Sequence, residues 1–335
     1  MKGVRRVRDW LSQRRRFEFC LTTITVMLLT GTCAALLLLP DSVVAPLRAA
    51  RTGTSTAPVA EQHTAGDARL AQIQRITEPF GPLVSRQVPT GGALPALVVG
   101  HPQHQRDIDL LAGELTAASA AVTELWGPDW SRSPVVVMSA APAEFAALVH
   151  ATTELPAEIA AATVSDPFTP GSQPTGQRVV FGPDAGRRLD PDGLRSLLRH
   201  ELTHVATRAA TVDGSPQWLL EGFAEYAAHR GLGHSFTDIA PTLATRLATG
   251  TVPADLPTDT EFTGPDAATA YELAWSVCAY LADTHDDAHL VALYRRLATG
   301  PHTPATEDAA MREVLGTSRA GLISGWQTWL RARSA

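Results

Sequence analysis

Cysteine is scarce in this sequence. There are three in 335 residues, and two of them, Cys20 and Cys33, lie in one apolar stretch near the N-terminus. Cys278 stands alone in a helical pattern, so no disulfide framework can form in the rest of the chain. Stability there must come from packing, for which a composition of 44% hydrophobic and 19% charged residues is sufficient. We expect Cys278 to be a small buried hydrophobic residue.

Positive charge is also in short supply over most of the chain. The net charge is −6, yet residues 1–40 hold seven cations and only two acids, so the remainder carries −11. An acidic domain of this kind does not attract a polyanion. We therefore expect no nucleic-acid partner.

Charge is missing altogether from Cys20 to Leu39, a run of 20 residues that is long enough to span a bilayer as a helix. The basic residues that precede it favour the cytoplasm. We predict a basic cytoplasmic tail (1–16), a transmembrane helix (17–39), a flexible linker (40–66) and an extracytoplasmic domain (67–335), located at the cell membrane as a single-pass protein. The alternative is a cleaved signal peptide, whose apolar region would usually be shorter.

The domain is predicted to be α+β, with a small mixed or antiparallel sheet followed by a helical half. Short apolar runs predict strands at 94–99, 134–138 and 178–181. Residues 152–177 are rich in Pro and Gly and are predicted to be irregular. Apolar residues at helical spacing predict helices at 67–78, 105–126, 143–150, 191–210, 216–229, 238–249, 266–284, 286–298, 306–315 and 318–333.

The most informative stretch is His-Glu-Leu-Thr-His at 200–204. Because four residues make about one helical turn, His200 and His204 can direct their rings at one ion. Imidazole suits Zn²⁺, and a catalytic zinc has three protein ligands and a water molecule. Glu201 is then placed to take a proton from that water.

Helix signals surround this motif. Asp190 can cap a helix that Pro191 opens, which predicts that the motif lies on one helix from 191 to 210. After an Asp-Gly turn, Ser215 is expected to cap the next helix and Pro216 to open it.

The second helix supplies acidic residues at the right spacing. Glu221 and Glu225 are four apart and share a face, so one carboxylate can complete the zinc ligands and the other can accept the ring N–H of a ligating histidine. His229 lies on the same face and is an alternative ligand. Seven other histidines are interpreted as surface or helix-end residues: His101, His104, His150, His234, His285, His289 and His302.

Two motifs thus occur in order, H-E-x-x-H at 200–204 and W-L-x-E-G-x-A-E-Y at 218–226. Together they resemble the gluzincin zinc metallopeptidases, and are most similar to the peptidase-MA-like zincin domains; thermolysin and the membrane alanyl aminopeptidases share the layout more distantly. The resemblance, which spans 94–300, implies a zincin-like fold, Glu221 as the third zinc ligand and Glu225 as the partner of a ligating histidine.

The chain departs from the family pattern in places. Sixteen residues separate His204 from Glu221, slightly fewer than usual. The Gly-rich motif that binds a free N-terminus has no counterpart, so no aminopeptidase specificity is predicted. Tyr271 resembles a tyrosine that stabilises the oxyanion in these domains, although a packed core tyrosine is the alternative. No glycine or third histidine follows His204, which excludes the metzincin pattern.

These features predict a membrane-anchored zinc metallopeptidase that hydrolyses peptide or protein substrates with a Glu-activated, zinc-bound water. The strand at 178–181 is expected to pair with extended substrate at the rim of the cleft. One alternative is a non-catalytic cell-surface binding or scaffold module with a zincin fold. An intramembrane protease is implausible because Arg195, Arg199 and Arg208 flank the motif.

Overall fold

The computed structural model describes residues 67–333, with gaps at 153–154, 156–158, 170 and 264–265. The predicted basic tail (1–16), transmembrane helix (17–39) and linker (40–66) lie outside the described residues. Within the described ranges, no helix is both long enough and apolar enough to cross a membrane.

A five-stranded mixed sheet forms the first half of the domain. Its strands are β1 (Val84–Val88), β2 (Ala96–Gly100), β3 (Val135–Met138), β4 (Ala161–Val164) and β5 (Arg178–Phe181). The spatial order is β1-β2-β3-β5-β4. The three central strands are parallel, while β1 and β4 pair antiparallel at the two edges. The predicted α+β class with a mixed sheet is confirmed.

The helices are α1 (Ala68–Thr77), α2 (Gln105–Trp126), α3 (Pro142–Leu148), α4 (Ala185–Arg188), α5 (Pro191–Thr207), α6 (Gln217–His229), α7 (Phe236–Ile239), α8 (Pro241–Ala248), α9 (Ala267–Thr284), α10 (Asp287–Leu297), α11 (Pro304–Leu315) and α12 (Arg319–Arg333). The predicted helical half is confirmed. The single helix expected at 238–249 is two short helices, α7 and α8, because Pro241 opens a new helix and cannot continue the first.

Both faces of the sheet are covered, and side chains alternate between two cores. Val136 and Val179 point into the larger core with the helical half, whereas Val137 and Val180 point into a smaller core with α1 and α3. Burial on both faces explains why the central strands are continuous apolar runs that the sequence reveals.

The two edge strands were not predicted. β1 has the polar sequence Val-Ser-Arg-Gln-Val, and β4 lies inside the stretch 152–177 that was expected to be irregular. This changes the role of β5: it lies between β3 and β4, with partners on both sides. The prediction that 178–181 pairs with substrate is therefore wrong, because its backbone groups are already used within the sheet.

The helix that bears the motif lies between the sheet and the rest of the helices. α5 packs against β4, α2 and α6. Buried Arg199 donates to Glu114 of α2 at 2.8 Å, which fixes the rotation of α5 beside the sheet. α6 packs in turn against α9, where Gly222 lies directly on the backbone of Ala274. These contacts decide which faces of α5, α6 and α9 converge.

Candidate metal centre

Local signals place the motif on one helix, as predicted. The side chain of Asp190 accepts a hydrogen bond from the Gly193 amide at 2.7 Å, and Pro191 is the first residue of α5. The opposite side of the helix is apolar and buried, so His200 and Glu201 are held near the interior with relative exposures of 7% and 5%. Packing of the apolar side of α5 therefore sets how deeply His200 and Glu201 are buried.

The start of α6 differs from the prediction. Ser215 does not cap this helix: its hydroxyl donates to the Val212 carbonyl and accepts from the Gly300 amide. The first amide of α6, on Gln217, instead donates to the Asp259 carboxylate at 2.9 Å. A distant side chain has taken the capping role, which local sequence does not reveal.

α5 and α6 bring three ligand atoms together. The Nε2 atoms of His200 and His204 are 3.0 Å apart, and Glu221 Oε2 lies 3.3 Å from the first and 3.5 Å from the second. Among the described residues, this is the sole group of three or more His, Cys, Asp or Glu whose ligand atoms lie within 4.8 Å of one another.

The spacing of these atoms fits zinc. Tetrahedral ligands at Zn–N and Zn–O distances of about 2.0–2.1 Å lie about 3.3 Å from one another, and the observed separations of 3.0–3.5 Å bracket that value. The donor set of two imidazoles and one carboxylate is one that catalytic zinc uses. The residues present therefore fit a zinc ion with one coordination position left for water.

Glu225 lies behind His200. Its Oε1 is 3.1 Å from His200 Nδ1, a buried nitrogen that has no hydrogen bond of standard geometry within the described part of the chain. Burial raises the pKa of Glu225. The hydrogen bond with His200 and the positive charge of His200 outweigh this effect and hold the Glu225 pKa at about 2. Glu225 is thus a carboxylate at neutral pH, able to receive the proton of His200 Nδ1.

Burial also opposes neighbouring charges and hydrogen bonds in setting the pKa values of the candidate ligands Glu221 and His200. Burial opposes the charge on Glu221, yet the charge of His204 and the hydrogen bond from His200 bring the Glu221 pKa well below its ordinary range. For His200, burial lowers the pKa, and the hydrogen bonds to Glu221 and Glu225 raise it well above the usual value. The two carboxylates therefore favour the protonated form of His200.

Glu201 has a partner that the sequence analysis missed. Thr163 of β4 lies against α5, and its hydroxyl donates to Glu201 Oε2 at 2.6 Å. No signal in the sequence marks Thr163, because it lies in a short strand inside a Pro- and Gly-rich stretch. Recognition of β4 as the strand next to the motif helix would have been needed to find it.

Tyr271 of α9 is close to the ligand group. Its ring centroid is 6.3 Å from that of His200, and its ring packs edge-on against Phe262 at 5.2 Å. Its hydroxyl makes no hydrogen bond to any residue in the described ranges. Burial raises the pKa of Tyr271, and the charges of nearby Glu221 and Glu225 raise it further, so the hydroxyl keeps its proton. It is an unengaged donor beside the site.

Two interpretations of the histidines need correction. His229 is not among the clustered ligand atoms; its Nε2 lies 3.5 Å from Glu225 Oε2 instead. His101 was interpreted as a surface or helix-end residue, yet it is 1% exposed and lies 2.8 Å from the buried carboxylate of Glu144. Single-residue patterns do not distinguish a buried, paired histidine from an exposed one.

Comparison with known proteins gives distant structural matches. The chain is similar to an M1 zinc metallopeptidase from Deinococcus radiodurans, with 17% identity, a TM-score of 0.42, and coverage of 76% of this chain and 53% of that one. A two-domain M1 zinc metallopeptidase mutant bound to L-arginine gives 16% identity, a TM-score of 0.42, and coverage of 75% and 52%. A mutant of the Deinococcus radiodurans enzyme bound to a Tyr-Ser-Ala substrate gives 16% identity, a TM-score of 0.41, and coverage of 76% and 53%.

The chain thus spans about half the length of these proteins. No protein-family model matches the chain, and no curated protein does. Likenesses at these TM-scores do not define an activity.

Proposed function

We propose that this protein is a zinc-dependent metallopeptidase of the gluzincin type. The observation that carries the proposal is the convergence of His200, His204 and Glu221 at 3.0–3.5 Å, with the Glu201 carboxylate next to His200 on the same helix. A ligand set of this kind and a carboxylate at that position are what hydrolysis by a metal-activated water requires.

The residues of the chain have distinct roles in this proposal. A bound zinc ion would supply a water molecule of lowered pKa and a positive charge for the carbonyl oxygen. Glu201 removes a proton from the attacking water and returns it to the leaving amine. The hydroxyl of Thr163 holds one oxygen of Glu201, so the carboxylate keeps a single orientation during both transfers.

Tyr271 is proposed to donate its free hydroxyl to the substrate carbonyl oxygen as negative charge develops there. Glu225 is proposed to accept the Nδ1 proton of His200, which leaves the Nε2 lone pair of that ring for the metal. The raised pKa of Tyr271 agrees with the donor role because the phenol is neutral at physiological pH.

An extended peptide is the proposed substrate, and β4 is the strand proposed to bind it. β4 lies at the end of the sheet as described, and its partner β5 uses only one of its two edges. The free backbone groups of an edge strand can pair with an extended chain. Because Thr163 links β4 to Glu201, a peptide on this edge would lie beside the base.

The decisive experiment compares the full-length protein with Glu201→Gln, and uses Glu313→Gln on α11 as a control. Glu313 is exposed, and within the described part of the chain its carboxylate pairs with Arg296 alone. Zinc content is measured by atomic emission, and cleavage is measured on a peptide library. We expect one zinc in all three proteins, cleavage by the wild type and the control, and none by Glu201→Gln.

Cleavage retained in Glu201→Gln would contradict the proposed mechanism. One zinc per chain with no cleavage of any peptide by the wild type would instead favour the non-catalytic binding module. Absence of zinc from the wild type would refute the metal site itself.

The location of the protein is a separate proposal that rests on sequence. We propose that the predicted transmembrane helix (17–39) anchors the chain through its apolar run from Cys20 to Leu39, with the catalytic domain outside the cytoplasm. Alkaline extraction of membranes tests it: an anchored chain stays in the pellet. Recovery of a shortened, soluble chain would favour the cleaved signal peptide.

A further inference from the structure

The carboxylate of Glu225 contacts two histidines, one through each oxygen. Its Oε1 lies 3.1 Å from His200 Nδ1, and its Oε2 lies 3.5 Å from His229 Nε2. The other ring nitrogen of His229 lies 3.0 Å from His234 Nδ1. Four side chains are therefore in contact one after another: His200, which is a proposed metal ligand, then Glu225, His229 and His234.

The chemistry of the groups gives this chain one direction. An ionised carboxylate only accepts hydrogen bonds, so a hydrogen bond to Glu225 requires a proton on His200 Nδ1 and a proton on His229 Nε2. A neutral His229 then has a bare Nδ1, which can accept from His234 Nδ1. At the other end, a proton on His200 Nδ1 would leave the lone pair of Nε2 available to a bound metal, and Nε2 is the atom that faces His204 and Glu221.

The position of His234 depends on the turn that follows α6. Gly231 and Gly233 both have positive φ angles, +74° and +75°, which residues other than glycine rarely adopt. This turn brings the chain back so that the His234 ring lies against the His229 ring, with centroids 5.2 Å apart. Ser235, the residue directly after His234, caps α7 and so holds the backbone in place on that side of His234.

Exposure explains why Glu225 needs a second partner. Its side chain is 25% exposed, compared with 9% for His200 and 18% for His229. Water can reach a carboxylate with that exposure and compete for its oxygens. A neighbouring N–H on Oε2 keeps Oε1 directed at His200.

We propose that His229, backed by His234, is a positioning residue of the zinc site that acts on His200 through Glu225. The inference rests on the proposed zinc site, but it concerns residues that are neither the proposed ligands nor the proposed base. Partners of metal-ligating histidines affect affinity by about 10–100-fold. His229 acts one step further out, so we expect an effect near the lower end of that range.

The test is the zinc dissociation constant of the full-length, metal-free protein, measured by competition with a chromophoric chelator. We expect His229→Leu to weaken binding about 10-fold, and His229→Gln to recover most of the loss because its amide nitrogen can take the place of Nε2. His234→Leu should weaken binding about 3-fold. His289→Leu is the matched control, since the partners of that exposed ring among the described residues are Asp286 and the neighbouring His285.

The visible spectrum of the Co²⁺-substituted protein provides a second measurement, because it changes when a ligating imidazole changes its orientation. An unchanged zinc dissociation constant in His229→Leu overturns the inference. Equal losses in His229→Leu and His229→Gln overturn it too, because they would indicate packing and not hydrogen bonding. Should His229→Leu fail to fold, an unchanged constant in His234→Leu has the same consequence.

These results are distinguishable from failure of the proposed function. A wild type that binds one zinc with no effect of the His229 or His234 variants refutes the positioning role alone. A wild type that binds no zinc refutes both.

Discussion

Substitution of Gly222 by alanine is expected to separate the two helices that carry the site. Gly222 follows Glu221 on α6 and lies on the backbone of α9. A Cβ at this position would meet the Ala274 carbonyl oxygen, and would come within 2.7 Å of its carbonyl carbon and 3.0 Å of Cys278 Sγ. Two of these three atoms are backbone, so no side-chain rotation relieves the overlap.

The magnitude follows from the distances. Ordinary van der Waals contact of a Cβ begins at 3.4 Å, so α6 and α9 must separate by about 0.7 Å or more, and overpacking of this kind costs about 1–3 kcal/mol. Helix propensity acts in the opposite direction and favours alanine by about 1 kcal/mol. Because the clashing backbone atoms cannot rotate away, we expect the upper part of that range, about 2–3 kcal/mol, and hence a net loss of about 1–2 kcal/mol in the free energy of unfolding.

The control is Gly113→Ala in α2, where a Cβ has nothing within 4 Å. There only propensity acts, and we expect a gain of about 0.5–1 kcal/mol. Both variants are measured by urea unfolding of the metal-free protein, with the zinc dissociation constant as a second readout, because movement of α6 also displaces Glu221.

Opposite signs for the two substitutions are the expected outcome. If Gly222→Ala is as stable as the wild type or more so, close contact between α6 and α9 does not hold Glu221 in position, and this account of the site is refuted.

Three further predictions concern the site itself. Thr163→Val should reduce kcat about 10-fold or more, and Thr163→Ser should restore it, because only the hydroxyl orients Glu201; equal activity of all three proteins would contradict this role. Tyr271→Phe should lower kcat by about 100-fold with little change in zinc affinity, since its hydroxyl has no partner in the described ranges; unchanged kcat would place Tyr271 in the core. Protonation of His200 stabilises the metal-free fold because folding raises the pKa of this side chain. This stabilisation is complete below about pH 6.5 and is lost as the pH rises through the raised pKa. Zinc must displace that proton, so the increase in Tm caused by zinc should grow between about pH 5 and pH 9, and a constant increase would argue against His200 as a ligand.

Local signals predicted the elements that carry the site. Asp190 and Pro191 mark the beginning of α5, and its observed first residue agrees with them. The apolar runs of β2, β3 and β5 were predicted because burial on both faces requires continuous hydrophobic sequence. Four-residue spacing likewise brought His200 and His204 to one face, since helical periodicity is a local property.

Pairing across the sheet was not predictable in the same way. β4 is four residues long, and its short sequence carries no strong strand signal. Strand order depends on contacts between residues far apart in sequence, which explains why β5 was expected to be the strand open to substrate although β4 forms that edge of the sheet. The cap of α6 by Asp259 is another example, because a partner 42 residues away replaces the expected Ser215.

By itself, the sequence determined the kind of chemistry: the residue types, their spacing along two helices, and hence the candidate ligands His200, His204 and Glu221. Only the tertiary structure decided how these groups meet. The packing of α6 on α9 at Gly222 sets the depth of Glu221, β4 supplies Thr163 to Glu201, and the turn after α6 brings His234 to His229. The physical reason is the distance over which each effect acts. Helix periodicity acts within a turn, whereas the orientation of each candidate site residue depends on side chains and backbone contributed by distant parts of the chain.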